Sequence, residues 1–159
     1  MLSENFKIVP ILSDQDLNSA ATMSGDSINM ANFHRATFIV GLQTLGGADP
    51  TVGVYCGATD AACTTFVPFK YAYGSAAAGS ANCDVLAAWT DATDVVTIAN
   101  ASKDNFMLII EVDAAQMYTG YNWLTIQFAD PSTGATGNVQ VHAVLEPRFT
   151  GNCSVTALA

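Results

Sequence analysis

The sequence predicts an all-β domain, an antiparallel β-sandwich of jelly-roll-like build with an extended N-terminal arm and at most one or two short helical turns. Three observations carry that expectation: apolar residues recur at every second position through most of the chain, turn-forming residues separate those runs, and no amphipathic stretch of helical period lies between them. Period-two alternation sends successive side chains to opposite faces of a pleated strand, so such runs make half-buried strands of antiparallel type.

The runs follow in order. Phe6 to Leu12 reads as extended, and Ser13 to Ser27 is polar and rich in small residues. Phe38, Val40 and Leu42 share one face with Thr37, Gly41 and Gln43 opposite, and Val52, Val54 and Cys56 repeat the pattern. Val67, Phe69, Tyr71 and Tyr73 alternate as well, but Pro68 has no N–H for a ladder and predicts an edge position or a bulge. Phe106, Leu108, Ile110 and Val112 form the most apolar face. Leu124, Ile126 and Phe128 stand against Thr125 and Gln127; Val139, Val141, Ala143 and Leu145 stand against Gln140, His142 and Glu146. About eight strands result.

Gly46-Gly47-Ala48-Asp49-Pro50, Gly57-Ala58-Thr59-Asp60, Asp130-Pro131-Ser132-Thr133-Gly134 and Gly137-Asn138 supply the turn chemistry between them. Ala76 to Trp89 is alanine-rich but interrupted by Gly79, Asn82 and Asp84, which limits helix to a turn or two near Val85–Trp89. Asp113 is placed to cap one helical turn over residues 114–117. The expected organisation is an N-terminal arm and loop over 1–26, a sandwich domain over 27–151 and a C-terminal tail over 152–159. Within the arm, Phe6, Ile8 and Val9 are candidates for pairing with a neighbouring subunit, because an open strand edge is a template for β-augmentation. An ordinary first strand of the same domain is the equal alternative.

Charge narrows the partners. The 159 residues carry a net charge of −9, with Lys7, Arg35, Lys70, Lys103 and Arg148 as the only cations. That balance repels a phosphate backbone and an anionic membrane surface, so neither nucleic acid nor membrane is expected as partner. No stretch approaches the roughly 18 apolar residues that span a bilayer. Half of the residues are hydrophobic and 12% are charged, the composition of a chain that folds. Met1 to Ile11 lacks the basic, apolar and small-residue sections of a secretory signal, which predicts synthesis and retention in a cytosol.

Catalytic chemistry finds little footing. Nucleophilic hydrolysis needs a base beside Ser or Cys, and only His34 and His142 are available, with no G-x-S-x-G elbow. Cys56 and Cys63 are spaced too widely for a zinc knuckle, and no second pair completes one. Their flanking of the turn Gly57–Ala62 makes them a candidate disulfide, contributing roughly 2.5 kcal/mol in the chain-entropy model, with two unpaired buried thiols as the alternative. Cys83 and Cys153 have no evident partner. Asp14-x-Asp16-x-Asn18 opens like a calcium loop, but Ser19 stands at the glycine position and Gly25 at that of the closing acid. Aspartates such as Asp60, Asp91, Asp94 and Asp130 fall in turns, where they serve the backbone. Tyr71, Tyr73, Tyr118, Tyr121 and Trp123 are candidates for a sugar-stacking platform, with core or interface packing as the alternative. No catalytic, cofactor-binding or metal-binding residue is assigned, and no cofactor is expected.

The opening Phe6-Lys7-Ile8-Val9-Pro10, the stretch Met30-Ala31-Asn32-Phe33-His34-Arg35-Ala36-Thr37-Phe38-Ile39-Val40, the run Asn122-Trp123-Leu124-Thr125-Ile126-Gln127 and the closing Val141-His142-Ala143-Val144-Leu145-Glu146-Pro147-Arg148-Phe149 together resemble small virion structural proteins of tailed bacteriophages, of the head-decoration or cement type. The likeness is one of layout and composition over most of residues 5–151. It implies a non-enzymatic, jelly-roll-like subunit, made in the bacterial host cytoplasm, that docks on the outer surface of the major capsid protein as a homo-oligomer, a trimer or dimer, and stabilises the head. The four cysteines are not required by such a role. A tail- or fibre-associated virion subunit and a carbohydrate-binding β-sandwich module are the alternatives.

Overall fold

The computed structural model describes residues 5–19, 22–129, 134–149 and 156–158. Among them the chain forms β1 (Lys7–Asp16), β2 (Thr22–Ser24), β3 (Ile28–Asn29), β4 (Phe33–Gly47), β5 (Thr51–Gly57) and β6 (Thr65–Phe66). It continues through β7 (Phe69–Tyr73), β8 (Thr90–Ala92), β9 (Val96–Thr97), a single helical turn α1 (Asn100–Lys103), β10 (Met107–Asp113), β11 (Trp123–Ala129) and β12 (Ala135–Pro147). All strand pairings are antiparallel. A long sheet runs β1-β12-β4-β10-β7-β8, and a shorter one runs β2-β11-β5-β6, with β3 also on β11 and β9 also on β5. The all-β sandwich is therefore the fold.

The alternating runs face one another across a shared core. Phe38, Val40 and Leu42 of β4, Leu108, Ile110 and Val112 of β10, and Val139, Val141, Ala143 and Leu145 of β12 come from the long sheet. Val52, Val54 and Cys56 of β5 meet Leu124, Ile126 and Phe128 of β11 from the short one. Each fully buried aliphatic or phenyl group contributes about 1.5–3 kcal/mol relative to exposure. The central strand β4 is paired along most of its length, to β12 on one side and β10 on the other.

Several expectations are corrected. Within the expected arm 1–26 the described residues do not form a free arm: β1 is an edge strand of the long sheet, paired from Lys7 opposite Leu145 to Asp16 opposite Asn138, and β2 belongs to the short sheet. Val9 is buried in this domain's own core, whereas Ile8 is exposed and Phe6 half-buried. Of the expected tail 152–159, the described residues 156–158 pack on the domain. Ala157 is buried, its carbonyl accepts from Asn29 N–H at 2.8 Å, and Leu158 bridges Ile28. Cys153 and turn residues 130–133 lie outside the described residues.

The run from Val67 to Tyr73 is broken at Val67-Pro68, where the chain leaves the short sheet at β6 and enters the long one at β7. Proline sits there because a crossover asks for no ladder donor. Val85–Trp89 forms no helix; Leu86 makes an isolated bridge to Gly74 instead. The Asp113 cap is present, its side chain taking the backbone N–H three residues on while Gln116 Oε1 accepts from Asp113 N–H at 2.8 Å. Gly137-Asn138 is a bulge inside β12 rather than a turn. Gly137 has φ +110°, and a side chain there would meet the carbonyls of Gln43 and Thr44 at 2.7 and 2.6 Å.

Phe38, wholly buried on β4 at the centre of the long sheet, sets the first prediction. Phe38→Ala should lower unfolding stability by about 3–5 kcal/mol, read as a lower urea midpoint with an unchanged slope.

Candidate interaction face

Strand register arranges the outward side chains of the long sheet in rows. One row reads Pro10, His142, Ile39, Ile109 and Ala72 across β1, β12, β4, β10 and β7. The next, two residues along each strand, reads Ile8, Val144, Thr37, Glu111, Lys70 and Asp91 and reaches β8. A third sets Glu146 opposite Arg35 and Arg35 opposite Asp113. An apolar strip thus lies beside a strip of charges on one open face. Ile8 and Ile39 are 45% and 37% exposed, while Ala72 and Ile109 are nearly covered.

Arg35 is the centre of the charged strip. Its Nε donates to Asp113 Oδ1 at 2.8 Å; that bond and then the Asp113 charge raise the guanidinium's pKa, desolvation opposes them, and the charges of Glu111 and Glu146 add lesser contributions. Three carboxylates therefore surround one guanidinium. Lys70 Nζ lies 3.7 Å from Asp91 Oδ1, an exposed pair of small energetic weight. Two shallow depressions of about 220 and 250 Å³ adjoin here, sharing Arg35 and Glu111 and reaching Gln116 on one side and Phe6 and Val144 on the other.

A second concavity, about 450 Å³, opens over the short sheet between Asp26, Ser27, Asp60, Cys63, Thr125 and Gln127. Its floor is a stitch between sheets: Gly25 N–H donates to Ile126 O at 2.9 Å and Asp26 N–H to Ile11 O at 2.8 Å. The buried Thr125 hydroxyl donates to Gly25 O at 2.7 Å. Sequence reading did not single out Asp26 or Ser27, because only the folding back of β2 onto β11 brings them beside Asp60.

Cys56 and Cys63 are free thiols in the structure, so the expected bridge is not formed. Alternation along β5 turns Cys56 into the core opposite Leu124, whereas Cys63 lines the cleft on the sheet's other face, its Sγ 3.7 Å from Ser27 Oγ. Burial pushes the Cys63 thiol pKa up, the Ser27 hydrogen bond opposes that, and Cys56 and Asp60 add to the rise. Such a thiol is a poor nucleophile. His34 and His142 are exposed on β4 and β12 of the long sheet, away from this cleft. Asp16 Oδ1 accepts from Asn18 N–H at 3.0 Å and Asp14 Oδ2 from Asn138 Nδ2 at 3.0 Å, so the acids of the calcium-like opening serve local bonds. Among the described residues no three His, Cys, Asp or Glu side chains are grouped to hold a metal.

The candidate stacking aromatics are not one platform. Tyr71 and Tyr73 continue a ladder from Tyr55 through Phe66 and Phe69, with successive centroids 5.9, 6.0, 6.2 and 6.0 Å apart. Tyr118 and Tyr121 pair separately at 6.1 Å, in the loop before β11. None of these rings lines the polar cleft. Lys103 Nζ lies 4.6 Å from the Tyr73 ring centroid and 4.9 Å from that of Phe106. The Tyr73 hydroxyl is buried without a hydrogen-bond partner.

No protein-family model, no curated protein and no solved structure matches this chain. Fold and surface carry the functional argument.

Two predictions follow from buried groups. Burial, with a contribution from Tyr71, pushes the Tyr73 pKa from its ordinary value of 10.0 up to about 12. The folded state holds that proton more tightly than the unfolded chain, so the associated stability is complete below pH 10 and lost as pH rises through about 12. Tyr73→Phe, which removes an unsatisfied hydroxyl, should be at least as stable as wild type at neutral pH and should flatten the alkaline fall in thermal melts between those pH values. Iodoacetamide labelling followed by mass spectrometry should modify the half-buried Cys83 before Cys63, and Cys56 only on unfolding.

Proposed function

We propose that this chain is a non-enzymatic virion structural protein of a tailed phage, a capsid decoration or cement subunit whose partners are the major capsid protein and further copies of itself. The observation that carries the reading is the open face of the long sheet, where Ile8, Val144 and Ile39 lie beside the charges around Arg35. An apolar strip rimmed by charged groups is the build of a contact surface.

The connectivity supports the same reading. Strands β1, β12, β4 and β10 in one sheet face β2, β11, β5 and β6 in the other, and the chain passes between sheets from β1 to β2, from β4 to β5 and from β10 through β11 to β12. We read this as a jelly roll with β7 and β8 added at one edge, an architecture used by viral capsid and lectin domains. Fold alone does not choose between those uses. The side chains of the face, which are those of packing and ion pairing, favour assembly.

Purified protein added to heads that lack it should co-sediment with them in a saturable way and raise the temperature at which they release DNA. Absence of binding to heads, or turnover of a substrate lost with a single side chain, would overturn the reading.

A further inference from the structure

We infer that the segment 156–158 is a strap that lifts off β3 and re-seats without unfolding the sandwich, and that in its seated position it keeps the Cys63 thiol closed beneath Ser27.

The hold of this segment is slight. Among the described residues its backbone tie to the sheet is one bond, Asn29 N–H to Ala157 O at 2.8 Å, beside an isolated bridge between Ile28 and Leu158. A further bond, Leu158 N–H to Thr156 Oγ1 at 3.4 Å, is internal to the segment. The apolar surface it buries is the methyl of Ala157, 1% exposed, and part of Leu158. β12, by contrast, is laddered to β4 along nearly its whole length and to β1 on its other side. A segment with so few contacts opens at a small fraction of the free energy of global unfolding, whereas a strand such as β12 opens only with the whole domain.

The position of the segment gives that opening a consequence. β3 is two residues long, held on one side by β11, where Asn29 lies opposite Trp123 and Ile28 opposite Leu124, and on the other by the strap. Ser27, next to β3, donates from Oγ to Asp60 O at 2.8 Å and stands 3.7 Å from Cys63 Sγ. Leu158, Ser27 and Cys63 line the same cleft, yet Cys63 is only 6% exposed. Lifting the strap takes Leu158 out of the cleft wall and frees one side of β3, and the loosened Ser27 uncovers the sulfur. Burial, the main cause of the raised Cys63 pKa, is relieved at the same time, so the open state presents more thiolate.

Iodoacetamide labelling of the full chain, mapped by mass spectrometry along a urea series below the unfolding transition, tests this. Wild-type Cys63 should react at a rate nearly independent of urea, since lifting three residues exposes little surface. Cys56 should react more slowly and speed up steeply with urea. Ala157→Asp, which puts a carboxylate where the seated strap has a buried methyl, should speed Cys63 about tenfold or more and leave Cys56 unchanged. Phe38→Ala should do the reverse, speeding Cys56 through loss of global stability and Cys63 little. One shared rate and one shared urea dependence for Cys56 and Cys63 in the wild type overturn the inference without recourse to any variant. So does an Ala157→Asp protein in which Cys63 is no faster, or in which Cys56 accelerates equally, because the segment would then belong to the cooperative unit of the sandwich.

Discussion

The outward face of the long sheet depends on one constraint in β4, the need to bury Phe33, Ala36, Phe38, Val40 and Leu42 while hydrogen bonding on both sides to β12 and β10. A strand paired on both edges and buried on one face has a single permitted register, since a slip of one residue would turn its whole apolar set to solvent. Once that register is set, Arg35, Thr37 and Ile39 point outward, and Glu146, Val144 and His142 are fixed beside them. The outward face of the long sheet is thus a by-product of the core, held by the same ladder bonds. Its rows do not need to be organised by a ligand.

This explains which parts were legible in the sequence. The long runs through β4, β5, β10, β11 and β12 announce themselves by alternation, because each is long enough for the period to repeat. β3, β6, β8 and β9 have two or three residues apiece, too few to show any period, and owe their pairing to neighbours. The inward and outward sets of β4 and β12 were readable one strand at a time. What the sequence could not show is the lateral order of strands, which places Glu111 between Thr37 and Lys70 although they are far apart along the chain. The cleft over the short sheet was hidden for the same reason, since Ser27 meets Cys63 only after the chain has crossed between sheets.

The two cysteines show where a local argument fails. Proximity along a turn favoured a bridge between Cys56 and Cys63, yet a disulfide needs Cβ vectors that converge. The pleat sends Cys56 into the core with Val52 and Val54, and the chain beyond Gly57 is turned so tightly that a side chain at that glycine would collide with Ala62 O. That turn carries Cys63 to the opposite face, where Ser27 and the carbonyls of Thr59 and Asp60 receive it. Faces of the sheet, not spacing, decide the pairing.

The edges and the face also constrain each other. A sandwich has sheet edges, and exposed edges invite uncontrolled association unless they are short, bulged or charged. Here β2, β6 and β8 are short, while the longer β1 begins at Lys7, contains Pro10 and shifts register twice. With edges closed in this way, association is directed to side-chain surfaces, where specificity comes from shape and the sign of charge instead of from generic backbone bonds. Edges of this kind refuse backbone partners and leave side chains to set what the sheet faces can meet. The outward face of the long sheet carries an apolar strip of Ile8, Val144 and Ile39 beside Arg35 and Lys70, with the carboxylates of Asp91, Glu111, Asp113 and Glu146 outnumbering those two cations.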